Sequence, residues 1–323
     1  MTKPFKVAAI HAAPVFMDTA ATIDKACKLI AEAGTREVRF VVFPEVFVPG
    51  FPYWINCYPP LMQPGLIKRY HAAALTVPGP EIETIQAAAK EAGVVVALGF
   101  TERSSTSSTC YNSQAFIDAD GALLGVHRKL QPTFAERYVW GQGDGSTLKV
   151  WDSAVGRVGG LACWEHTNNL ARHALIVQGI QIHAGAWPAL STMVGFTEVY
   201  DPQVDAMMRS HALTGQCFVI VAESPVDQAA MDFLERELGP QEFITAGGGW
   251  SSIIHPMGVF VEGPHVGAEE KILAAEIDLD EIEDVKVFVD SAGHYSRSEV
   301  LRLVVDSEAK TPEVDASVIS AES

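Results

Sequence analysis

Apolar, β-branched runs recur along this chain, separated by stretches whose apolar residues fall at helical intervals. Positions 7–10 read as a first strand, and 22–33 as a helix that ends near Gly34. The run VRFVVF over 38–43 reads as a buried strand that stops at Pro44, which has no N–H for a ladder. A helix over 81–92 ends at Gly93 as a helix C-terminus should, and a strand follows over 94–100. Strands over 111–118 and 123–127 flank Asp120 and Gly121, a strong hairpin signal. Short strands are expected at 148–151 and 158–162, then a helix over 170–178 and a strand around 180–184. A helix over 204–213 precedes a strand over 217–222. A second hairpin joins 251–255 to 259–261 through Pro256, Met257 and Gly258, and 271–277 reads as the last core strand.

Hairpins mixed with β–helix–β alternation predict an α/β protein with a mixed sheet covered by helices. No interior stretch looks like a linker and no tandem repeat is present, so residues 1–305 read as one domain. From Asp306 the last 18 residues hold five acidic residues, one lysine and no aromatic residue, which predicts a mobile acidic tail over 306–323.

Composition narrows the class. Of 323 residues 48% are hydrophobic, too many for a disordered chain. Forty acidic against 23 basic residues leave a net charge of −17, which argues against nucleic acid and against anionic membrane surfaces. No segment approaches the roughly 20 apolar residues of a membrane span. The opening MTKPFKVAAIHAAP has no secretory pattern, its apolar run being broken by His11. Five cysteines form no close pair and are odd in number, so neither a disulfide framework nor a structural zinc site is expected. The expected setting is cytoplasmic, with reduced thiols.

Three segments place a reactive side chain where an apolar strand gives way to a turn, which is where α/β sheets collect their ligands. In VVFPEVFVPGFPYW, Glu45 sits among Phe43, Val46, Phe47 and Phe51, and an apolar setting makes a carboxylate a better base near neutral pH. In GVHRKLQPTFAERYVWGQGDGS, Lys129 follows the hairpin strand and Glu136 lies seven residues on. A fixed cation there would stabilise developing negative charge. The Gly-Gln-Gly-Asp-Gly run has neither dinucleotide nor phosphate-loop spacing and reads as a turn. In VGRVGGLACWEHTNN, Cys163 stands at a strand-to-helix elbow, where a nearby helix N-terminus would favour the thiolate. Taken singly, each also fits a plainer role: an exposed carboxylate, a solvated basic run, a small core cysteine. Taken together they make a nucleophile, a base for it and a cation for its adducts.

These segments, with the late GHYSRSEVLRL, resemble the carbon–nitrogen hydrolase superfamily, and specifically its true nitrilase branch, over residues 5–305. Cys-Trp-Glu-His, and Phe-Pro-Tyr-Trp after the first glutamate, look more like nitrilases than like amidases or carbamoylases. The resemblance implies an α-β-β-α sandwich, a Glu45–Lys129–Cys163 triad, and neither cofactor nor metal. It makes Glu136 an additional glutamate that positions substrate or the lysine. It implies water and a small-molecule nitrile as substrates, converted through a thioimidate and a thioester to acid and ammonia. It also implies a homodimer that grows into larger homo-oligomers or spirals, to which Gly293 to Arg297 would contribute unless they serve the pocket. Tyr53, Trp54, Trp164 and Trp187 lie beside the catalytic segments, and aromatic walls would suit an aryl or arylalkyl nitrile. Glu165 and His166 fit a structural hydrogen-bonding role as well as a catalytic one. The rivals are a cyanide-hydrolysing or amide-forming member of the same branch, an aliphatic amidase, and a binding protein without activity.

Overall fold

The computed structural model describes residues 3–310. The chain begins with β1 (Phe5–His11), α1 (Thr19–Thr35) and β2 (Val38–Val42), followed by α2 (Pro64–Ala72) and α3 (Pro80–Ala92). Next come β3 (Val95–Arg103), β4 (Cys110–Ile117), β5 (Leu123–Arg128), β6 (Trp151–Ser153) and β7 (Gly156–Ala162). Then follow α4 (Asn169–Val177), β8 (Ile182–Pro188), α5 (Tyr200–Gly215), β9 (Phe218–Ser224) and α6 (Gln228–Leu238). The hairpin pair β10 (Trp250–Ile254) and β11 (Phe260–Val266), then β12 (Lys271–Ile277) and α7 (Asp280–Lys286), complete the described elements.

The strands form two six-stranded mixed sheets, in the orders β12-β1-β2-β3-β4-β5 and β11-β10-β9-β8-β7-β6. They stack face to face through Val7, Phe40, Val95 and Phe116 of the first and Val158, Ile182 and Phe218 of the second, an apolar layer that excludes water from both inner faces. A second core packs α1 and α3 on the outer face of the first sheet, and a third packs α4 and α5 on the outer face of the second. The result is the α-β-β-α sandwich, two sheets where the strand pattern alone predicted one. Among the described residues no helix is long and apolar enough to cross a membrane.

Local sequence explains most boundaries. Asp18 caps α1 by accepting the Ala21 N–H. Pro80 opens α3, with Glu81 and Glu83 in its first turn, and Gly93 closes it at φ 66°. Gly34 does not stop α1, which runs to Thr35. Its missing side chain instead lets α1 approach α3, since a Cβ would lie 3.0 Å from that of Ala92. The strand expected at 148–151 begins only at Trp151, because the turn that hydrogen-bonds Ser153 to Gly156 sets its pairing with β7. Helices α2, α6 and α7 lie outside the expected elements. Of the tail expected over 306–323, positions 311–323 lie outside the described residues. The Lys310 N–H donates to Asp144 (2.7 Å).

Candidate active site

The carboxyl ends of β2, β5 and β7 point to one rim, and each delivers one of the three expected side chains. Beyond β2, Pro44 ends the ladder and Glu45 turns inward with its side chain fully buried. The turn is held by Val46 at φ 47°, a backbone region that a β-branched residue seldom enters. It also depends on Gly99 of β3, where a Cβ would lie 2.1 Å from the Pro44 carbonyl oxygen and 2.8 Å from the Val46 nitrogen.

Lys129 follows β5, its side chain fully buried between two carboxylates. Its Nζ donates to Glu45 Oε1 and to Glu136 Oε2, at 2.8 Å each. Glu136 is set by a 3-10 turn (Phe134–Tyr138), in which Oε2 also accepts the Thr133 N–H (2.8 Å), a capping box. The glycine-rich run expected as a turn has no regular structure over 141–144 and enters a short 3-10 turn at Gly145. Its Gly143 N–H donates to the Lys129 carbonyl (2.9 Å), and a Cβ there would meet the Arg128 carbonyl oxygen at 2.2 Å.

Cys163 opens another 3-10 turn (Cys163–Thr167) directly after β7, buried and at φ 53°. A non-glycine residue in that region costs about 1–3 kcal/mol and persists where its surroundings fix it. Two neighbours do so. His166 Nδ1 donates to the Cys163 carbonyl (2.6 Å), which leaves its Nε2 to accept from His183 Nε2 (2.8 Å). Glu165 Oε2 accepts the Ala162 N–H (2.9 Å), while its Oε1 accepts the Leu130 N–H (2.8 Å) and faces His127 Nε2 (3.1 Å). Glu165 thus ties the cysteine loop on one sheet to the lysine segment on the other. His127 donates through Nδ1 to the Thr147 carbonyl and through Nε2 to Glu165, so it is an imidazolium. Burial pulls its pKa down, but Glu165 outweighs burial and holds it above the ordinary range.

A carboxylate oxygen of Glu45, one of Glu136 and Cys163 Sγ all lie within 4.8 Å of one another. Three such atoms have the spacing of a cation site, and the Lys129 ammonium already lies 2.8 Å from both carboxylates. Two further contacts were not anticipated from sequence. Asn112 of β4 donates through Nδ2 to Glu45 Oε1 (2.8 Å), and Tyr200 Oη lies 3.4 Å from Cys163 Sγ. Glu45 Oε2 is left without a partner.

Burial pushes the Glu45 carboxyl up to about 7, against the pull of Lys129. Lys129 is lowered by burial, yet Glu136 and Glu45 hold it well above its ordinary value. Burial, joined by Glu45, drives the Cys163 thiol well above its ordinary value despite Lys129. The resting site therefore holds a thiol beside a carboxylate, not the thiolate that a helix N-terminus was expected to favour. Burial and two nearby carboxylates outweigh that effect.

Beside Glu136 opens a cavity of about 250 Å³, walled by Phe51, Trp164, Leu190, Phe196 and Phe243. Of the four expected substrate residues Trp164 lines this cavity; Tyr53, Trp54 and Trp187 are buried around it and not among its walls. Tyr53 Oη accepts the Ala189 N–H (3.2 Å), Trp54 packs edge-on against Tyr70, and Trp187 stacks on His166. A larger groove, about 530 Å³, runs over α4 and is lined by Leu170, Tyr295 and Leu301, away from the cysteine. Tyr295 of the Gly293–Arg297 segment therefore faces the outer surface.

Comparison with known proteins follows the same lines. A family profile described as carbon-nitrogen hydrolase matches residues 6–287. An aliphatic nitrilase of Rhodococcus rhodochrous is 39% identical over 96% of this chain and 85% of its own. An arylacetonitrilase of Aspergillus kawachii is 36% identical over 96% of this chain and 94% of its own. Among solved structures, a carbon-nitrogen hydrolase from Helicobacter pylori superposes with a TM-score of 0.72 at 19% identity, covering 94% of this chain and all of that one, a likeness of fold.

Proposed function

The chain belongs to the carbon–nitrogen hydrolase family, and from that premise we propose that it is a nitrilase, converting an organic nitrile and two waters to a carboxylic acid and ammonia. The observation that carries this reading is the Lys129 ammonium held between two buried carboxylates within reach of an unpaired thiol.

In this reading Glu45 is the base. Its unpartnered Oε2 takes the Cys163 proton as sulfur attacks the nitrile carbon. Because the thiol is held high, the thiolate forms only in that step. The nitrile nitrogen collects the proton and a thioimidate results. Glu45 then draws a proton from water, which adds to the same carbon. Lys129 and the Trp164 N–H stabilise the charged adduct. Glu45 returns that proton to the nitrogen, which also takes the adduct's hydroxyl proton and leaves as ammonia; a thioester remains, and a second water activated by Glu45 releases the acid and restores the thiol. If sulfur departs before nitrogen, the product is an amide. Glu136 positions Lys129 and substrate. The aromatic wall of the cavity supports an aryl or arylalkyl substrate, while the relatives' names divide between arylacetonitrilase and aliphatic nitrilase.

The test is a panel of nitriles and matching amides, with ammonia, acid and amide measured separately, on the wild type and on Cys163→Ala. The expected result is acid from nitriles and no turnover by the variant. Turnover of amides alone, or a variant of near wild-type rate, overturns the reading. We also propose self-association through the exposed apolar residues Leu170, Val177, Leu213 and Leu301, beside the groove over α4. Size-exclusion chromatography at rising concentration checks it; a monomer at every concentration refutes it.

A further inference from the structure

The mechanism leaves one buried acid unused. Glu223, at the carboxyl end of β9, has no exposed surface, and neither carboxylate oxygen has a hydrogen-bond partner. The Trp250 N–H lies nearby and eases its charge slightly, but neither oxygen reaches a hydrogen bond. Buried carboxylates are normally paired, and an orphan one costs stability unless something meets it.

Its backbone, by contrast, is carefully fixed. The Glu223 N–H donates to Ser251 Oγ (3.0 Å), and Ser251 bonds to His11 Nδ1 (2.9 Å). His11 Nε2 donates to the Gly267 carbonyl (2.7 Å), so Nδ1 is the acceptor and Ser251 the donor. Every polar atom in that chain is satisfied, and only the carboxylate it positions is left open.

Strand alternation puts Glu223 on the same face as Val219 and Val221, which pack in the core that also holds Trp187, Tyr200 and Cys163. Tyr200, whose hydroxyl lies 3.4 Å from Cys163 Sγ, and Tyr53 both feel the charges of Glu223, Glu45 and Cys163. Asp201, next to Tyr200, adds a second acidic group, half-buried and near the Ser191 hydroxyl. A fully buried carboxylate with both oxygens open is met best by a cation.

Resting on the nitrilase reading, we propose that Glu223 is a specificity residue: it receives a protonated amine carried by the substrate, so that the preferred class is aminonitriles. The ammonium pairs with Glu223 while the nitrile carbon meets Cys163 Sγ. The aromatic wall holds the remaining carbon skeleton.

The experiment compares two substrates of one skeleton, an arylalkyl nitrile and its amino-substituted counterpart, on the wild type and on Glu223→Gln. The readout is the ratio of their kcat/KM values, in which a general loss of activity cancels. The ratio should fall at least tenfold in the variant. A change smaller than twofold overturns the proposal, as does a wild type that turns over the plain nitrile and ignores the amino one. If neither nitrile reacts, the nitrilase reading fails by itself. The site is then decided by binding: an arylalkylamine without a nitrile should raise the Tm of the wild type and not of Glu223→Gln, and equal shifts refute it. Folding is not at risk. Burial raises the Glu223 carboxyl, so its ionisation opposes folding as pH rises, and Glu223→Gln should have the higher Tm at pH 8.

Discussion

A single methyl group placed outside the chemistry should disable the site. In Gly99→Ala the new Cβ would sit 2.1 Å from the Pro44 carbonyl oxygen, where ordinary contact begins at 3.4 Å, so the two must part by about 1.3 Å. Strand β3 cannot give, because it is paired along its length with β4 and its Gly99 carbonyl also holds the Val48 N–H. The loop carrying Glu45 has to move. A shift of that size stretches the 2.8 Å contact between Lys129 and Glu45 beyond hydrogen-bonding distance. Displacements near 1 Å at a reacting group cost on the order of 100-fold in rate, equal to about 2.7 kcal/mol of barrier. The assay is kcat/KM on the best nitrile of the panel, with Tm measured alongside. Gly65→Ala is the control, since nothing lies within 4 Å of a Cβ there. A Gly99→Ala enzyme within threefold of wild type would refute the claim that this glycine sets the position of the base.

Other outcomes follow from the same geometry. The ascending limb of kcat/KM against pH should lie near 7, since Glu45 as the proposed base must be ionised and burial holds it there; a rate flat from pH 5 to 8 contradicts this. Asn112→Ala removes a hydrogen bond to the Glu45 carboxylate. It should lower kcat/KM by about tenfold or more, as for a bond to a charged group, and move that limb to higher pH because the bond favours ionisation. An unmoved limb excludes Asn112 from tuning the base. Glu165→Gln leaves the His127 imidazolium buried without its counter-ion and should cost about 3–5 kcal/mol in denaturant unfolding. A loss below 1 kcal/mol means that His127 is neutral.

Glu45, Lys129 and Cys163 were legible because each directly follows an apolar strand, a pattern that sequence records. Their meeting was legible only through the family resemblance. Asn112 could not be found this way: it is one polar residue inside strand β4, 67 positions from its partner, and the register of β4 against β3, the neighbour of β2, brings it to Glu45. Tyr200 reaches the cysteine from the first turn of α5, and the pattern started that helix four residues too late to include it. Helix α6 was missed although Asp227 caps it by accepting the Ala230 N–H. The two-sheet architecture came from the family resemblance and escaped the strand pattern for a physical reason: strands buried on both faces have the same apolar pattern in one sheet or two. The aromatic residues beside Glu45 drew notice for their composition, while Phe196 and Phe243 reach the cavity from loops that carry no periodic signal.

The proposed base and its cation ride on one sheet and the sulfur on the other, and the Glu165 carboxylate that joins their loops is the rivet through the seam. Such a construction has no partly competent form. Heating or denaturant should not erode activity gradually ahead of unfolding; the enzyme should keep its full rate until the two halves separate, and then lose it in the same step as its tertiary structure. Inactivation curves are then a record of the seam itself.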